Sequence, residues 1–176
     1  MKIIGVLFVS LAMFIPSVVL AGPWISTLKE YQCLEIEKFA VDREDFSSTE
    51  MERAATIPDE TLSRLQHKVV GEITRAKIID EVTKADAKPC ESKALVLGGK
   101  VTDYKEGDRA ARMFIGWGAG KQKFEVQCYI KDKQTGDVLT KKQVVDRKMG
   151  GISGGDEAKG ESDFAEKVAG FVKNGK

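Results

Sequence analysis

The sequence predicts an α/β two-layer domain: a mixed β-sheet with a terminal β-hairpin, packed against two helices. Three observations carry this expectation. Leu62, Leu65, Val69, Ile73 and Ala76 recur at intervals of three and four, the spacing of one helix face. Phe164, Val168, Phe171 and Val172 form a second such stripe near the end of the chain. Between them, "KQKFEVQCYIKD" and "GDVLTKKQVVD" alternate apolar and polar residues around Lys133-Gln134-Thr135, closed by Gly136, the pattern of two hairpin strands.

Taken from the start, Lys2 precedes an apolar run from Ile3 to Ile15, then Pro16-Ser17-Val18-Val19-Leu20-Ala21. A membrane span needs about 20 apolar residues, and this run is shorter and ends in small residues. Residues 1–21 therefore read as a secretory signal peptide cut after Ala21, with Val19 and Ala21 at the recognition positions. Leu20-Ala21-Gly22 also approaches a bacterial lipobox, but Pro23 stands where the acylated cysteine would be. The expected product is periplasmic or secreted and carries no lipid anchor. Residues 22–176 are expected to form one domain with a flexible N-terminal tail.

The chain holds 28 basic and 27 acidic residues, and loss of Lys2 with the signal makes them equal. That balance offers no general pull toward nucleic acid, which binds basic surfaces. Cys33, Cys90 and Cys128 all lie in the exported part, where a disulfide is permitted. Cys128 alternates with Phe124, Val126 and Ile130 and reads as a buried thiol. Cys33 and Cys90, the latter in the polar loop "AKPCE", are the preferred pair. There is no Cys-x-x-Cys, and His67 is the sole histidine, so neither a zinc site nor a redox dithiol is expected. No cofactor is expected.

Within the domain, "EYQCLEIEKFAV" over 30–41 reads as a strand, and "DREDFSSTEMERAAT" as a loop with room for a helical turn. The first long helix is expected from about Pro58 to Ala76, with Pro58, Asp59 and Glu60 suited to its first turn. Residues 77–82 suggest a short strand. "SKALVLGGKVTDY" over 92–104 reads as a buried strand, with Gly98-Gly99 marking a bulge or a close approach. After the hairpin, "MGGISGGDEAKG" is a loop by composition, and Gly175 follows the last helix.

The segment "GDRAARMFIGWGAGK" over 107–121 needs its own account. A phosphate-binding loop requires G-x-x-x-x-G-K-[ST], yet Ile115 and Gln122 occupy the decisive places. The dinucleotide fingerprint fails where Lys121 replaces its third glycine. Gly116, Gly118 and Gly120 instead fit a strand whose bare face admits another backbone. In a functional reading, Phe114, Ile115 and Trp117, flanked by Arg109, Arg112 and Lys121, meet an envelope protein partner or, peripherally, a membrane interface.

From Leu95 to Leu139 the sequence resembles an uncharacterised bacterial envelope family, domain of unknown function 4410, many of whose members are lipoproteins. The resemblance runs through Gly99, the Gly107-x-Arg109-x-x-Arg112 step, Gly116-x-Gly118-x-Gly120-Lys121 and the Thr135-Gly136 turn. It implies an envelope location and supplies no activity. The element order is more distantly similar to small periplasmic α/β domains of curli-channel type lipoproteins, which suggests assembly or partner binding.

Catalytic signatures are weaker. His67 lies off the apolar stripe and reads as a surface residue. Serines and acids are plentiful, but scattered residues do not make a triad. Asp156, Glu157, Glu161 and Asp163 lack calcium-loop spacing and read as a solvated helix start. The expectation is a non-enzymatic binding domain; the alternative is a hydrolytic or ligand-processing enzyme whose site is built from ordinary polar residues.

Overall fold

The computed structural model describes residues 24–105, 122–148 and 157–176. Its elements are α1 (Trp24–Leu28), β1 (Cys33–Ile36), α2 (Thr49–Ala55), α3 (Asp59–Arg75), β2 (Glu81–Lys84), β3 (Ala94–Lys105), β4 (Gln122–Asp132), β5 (Val138–Lys148) and α4 (Glu157–Asn174). The strands form one sheet in the order β2-β1-β3-β4-β5. β1 runs parallel to β2 and β3, while β3, β4 and β5 are antiparallel neighbours. The sheet is thus mixed, and α3 and α4 make the second layer, as the α/β two-layer expectation required.

Periodicity explains the packing. Leu62, Leu65, Val69 and Ile73 of α3 and Phe164, Val168, Phe171 and Val172 of α4 are all buried. They meet Leu34, Ile36, Leu95, Leu97, Val126, Cys128 and Ile130 from one face of the sheet in a single core. Phe164 sits edge-on to Phe39 and Phe124, with ring centroids 5.7 and 4.6 Å away, the arrangement the ring quadrupoles favour. Gly136 takes φ +76° in the hairpin, where the buried Asp132 accepts the N–H groups of Gln134 and Thr135.

Several elements depart from expectation. The first strand covers only Cys33–Ile36; Lys38 and Phe39 leave the ladder, Phe39 enters the core, and pairing resumes as a single bridge from Ala40 to Lys100. Pro58 caps α3 rather than opening its first turn. The short strand lies at Glu81–Lys84, because Lys77 ends α3 in the left-handed region (φ 49°) and Ile78 and Ile79 pack against the core from the following turn. The stretch expected to be mostly loop contains α2, started by the Ser48 side chain accepting from the Met51 N–H. The expected flexible tail is helical and docked from Trp24 onward, with the indole N–H donating to the Val172 carbonyl at 2.7 Å.

β3 is continuous through Gly98 and Gly99, and its bulge lies between Val101 and Asp103. Both glycines mark close approaches. A Cβ on Gly98 would meet the Tyr129 hydroxyl at 2.5 Å, and one on Gly99 would meet Val126 Cγ1 at 2.7 Å and the Gln127 carbonyl at 2.9 Å. Gly99→Ala should therefore force β3 from β4 and cost about 1–3 kcal/mol. A fall in the urea midpoint at unchanged slope checks this.

Candidate interaction surface

Alternation along the strands gives the sheet a second face, turned away from α3 and α4. Cys33, Glu35 and Glu37 reach it from β1 and the residue after it, Gly98 and Lys100 from β3, and Glu125, Tyr129 and Lys131 from β4. A helix-free face of an antiparallel sheet is normally polar. Here its charges are paired. Glu35 accepts from Lys133 Nζ at 2.6 Å and from the Cys90 N–H at 2.6 Å. Glu37 accepts from Tyr129 Oη at 2.7 Å and Lys131 Nζ at 3.0 Å. The Tyr129 ring reaches Glu37 because Gly98 leaves its path clear. Burial, then the Glu37 hydrogen bond and charge, push the Tyr129 phenol up to about 12.

Cys33 and Cys90 are disulfide-bonded, with Cα atoms 6.1 Å apart, and this bond holds the loop before β3 against the same face. Cys128 is free and buried in the helix-side core, where desolvation pushes its thiol up to about 12. Such a thiol is inert.

At the far end of β3, Asp103 is fully buried and receives Arg53 Nε at 2.9 Å, a second Arg53 N–H at 3.0 Å and Lys123 Nζ at 2.7 Å. Burial works against its charge, but hydrogen bonds and charges from Arg53 and Lys123 prevail and hold its carboxyl below the usual range. This cluster ties α2 to the sheet. Lys123 also pairs with Glu125, which accepts from Gln143 and Thr102.

Of the residues expected at the functional site, Arg109, Arg112, Phe114, Trp117, Lys121, Gly107, Gly116, Gly118 and Gly120 lie outside the described residues. The strands that flank them in sequence are described, and Lys105 opposes Lys123 where β3 ends and β4 begins. Near that end, Leu65, Tyr104, Phe124, Phe164, Asp146 and Glu161 line a cavity of about 20 Å³, room for about one water. His67 is exposed. Glu161 is not solvated as expected: it is buried and bonds Arg64 of α3 at 3.0 Å and Lys68 at 3.2 Å, clasping α4 to α3. Asp156 lies outside the described residues. Among the described residues, no cluster of three or more His, Cys, Asp or Glu is placed to hold a metal ion.

Sequence reasoning missed Glu35, Glu37, Asp103 and Gln66, whose amide donates to the Ile36 carbonyl at 2.9 Å. Each is a polar side chain with a partner distant in sequence, which periodicity does not register.

The family model for a domain of unknown function, DUF4410, matches residues 33–151. This chain belongs to the DUF4410 family. The match encloses β1 through β5, so the sheet and its paired face are the DUF4410 portion of the molecule. Among solved structures, a PelC dodecamer from Paraburkholderia phytofirmans in space group C2 shares the fold at TM-score 0.53 and 16% identity, covering 83% of this chain and 89% of that one. The PelC dodecamer from the same organism in space group P6 gives 0.52 and 15%, covering 81% and 88%. No curated protein matches the DUF4410 chain.

Proposed function

We propose that this DUF4410 protein is an exported, non-enzymatic assembly domain of the bacterial envelope that works by associating with further copies of itself or with an envelope partner. The observation that carries the reading is the shared fold with PelC, whose structures are dodecamers. Two features support the location. The apolar run before Ala21 has the make-up of an export signal, and the Cys33–Cys90 disulfide suits an oxidising compartment. The contact segment of this reading is Arg109 to Lys121, where large apolar residues sit among cations.

Light scattering and native mass spectrometry of the processed protein test it. A defined higher-order assembly is expected, lost in Trp117→Ala or Arg112→Glu while circular dichroism stays unchanged. A protein that stays monomeric and recovers no partner from envelope extract overturns the reading.

A further inference from the structure

The helix-free face of the sheet carries opposite charge at its two sides. On the β5 side, alternation brings Leu139, Lys141, Gln143, Val145 and Arg147 to this face, and the bulge at Ile130 and Lys131 sets Val138 there as well, opposite Lys131. Val138 and Leu139 are 46% and 37% exposed. Lys141 and Arg147 are exposed and form no ion pair among the described residues. Asp146 does not offset them, because it faces the helices, where Lys167 takes it. Asp137, in the hairpin turn, is the exposed acid at the start of the strand.

The other side is acidic. Lys100 stands on the same face, level with Gln127 of β4 and Gln143 of β5. Its ammonium reaches Asp42 at 3.4 Å and Asp45 at 3.6 Å, which places the loop after Ala40 at the rim of the face, beyond β3. Two carboxylates share one lysine there, and the exposed Glu44 between them has no ion pair among the described residues. Arg43 turns away, to Asp59 and to the Ala55 and Ile57 carbonyls. Phe46, next to Asp45, is 68% exposed, so a large apolar side chain stands among three acids and a single cation.

We propose that this face packs on the same face of a second copy about a two-fold axis, the Phe46 loop of each lying on the β5 side of the other. Charge complementarity decides the occupant. A net negative rim with one exposed aromatic and a net positive strand with two exposed aliphatics fit each other, and a two-fold contact makes each match twice. Between the two sides lie the uncharged Gln127 and Gln143 and the neutralised pair of Glu37 with Lys131, which repel nothing. This contact rests on the assembly reading and uses residues apart from Arg109 to Lys121. A two-fold contact closes at two copies, so a larger closed assembly needs both surfaces.

Sedimentation velocity of the processed protein carrying Trp117→Ala isolates this contact from the other segment. A dimer is expected, weaker as salt is raised. Glu44→Lys and Lys141→Glu, added singly, should each weaken it about ten-fold, since each change occurs twice. The two together should restore it, and Phe46→Ser should leave a monomer with unchanged circular dichroism. A monomeric Trp117→Ala protein, single variants that dimerise like their parent, or a double variant as weak as the singles overturns the proposal. If wild type assembles all the same, the assembly reading stands without this face; if wild type is monomeric and recovers no partner, both fall.

Discussion

Replacing both Cys33 and Cys90 with alanine should lower stability by about 4 kcal/mol, the loop-closure entropy expected for a cross-link spanning 57 residues. The bond also presents the Cys90 N–H to the buried Glu35 carboxylate, which shares Lys133. Freed from the bond, the loop can withdraw that donor, so the loss should not fall below the entropic figure. Urea unfolding of wild type with and without reductant, beside the double variant, checks this. The reduced wild type and the variant should share one lowered midpoint; a variant as stable as the oxidised protein would show that the bond contributes nothing.

Asp103→Ala should cost about 3 kcal/mol, because it strands Arg53 and Lys123 around an apolar gap and releases α2 from β3. The pH dependence follows from the direction of the shift. Folding holds the Asp103 carboxyl below its ordinary 3.8, so its contribution is complete above that value. It fades as pH falls through the lower folded value, where the native carboxylate finally takes a proton. Asp103→Asn measured beside wild type should therefore differ strongly at neutral pH and much less in strong acid. A difference independent of pH would sink the ion-pair account and leave only packing.

How much of this was legible in the sequence depended on whether a residue's partner was near or far along the chain. α3, α4 and the β4–β5 hairpin repeat one pattern over many residues, so their faces could be assigned directly. β1 could not be bounded, because the alternation of Leu34 and Ile36 with Glu35 and Glu37 does not show that the ladder stops at Ile36, where Phe39 then turns into the core. α2 is seven residues long and polar, too short to be stable alone, and is held by Ala54 in the core and Arg53 on Asp103. Glu161 looked like helix-start solvation because Arg64 and Lys68, which bury it, come from the other long helix. The preferred Cys33–Cys90 pair is the bond the structure contains. The residues chosen for partner contact, from Arg109 to Lys121, were chosen on chemistry alone.

The place of β1 in the strand order bears on how the molecule comes into being. A chain that emerges N-terminus first, from a ribosome or a channel, delivers β1 before either of its neighbours, since β2 and β3 both follow it and flank it in the sheet. The three later strands β3, β4 and β5 form a simple meander and can zip in order of arrival. β1 must wait. Cys33 waits with it, and the next thiol to emerge is Cys90, its native mate, ahead of Cys128. Order of emergence thus favours correct pairing before the competing thiol appears, and β4 then carries Cys128 into the core beyond the reach of exchange.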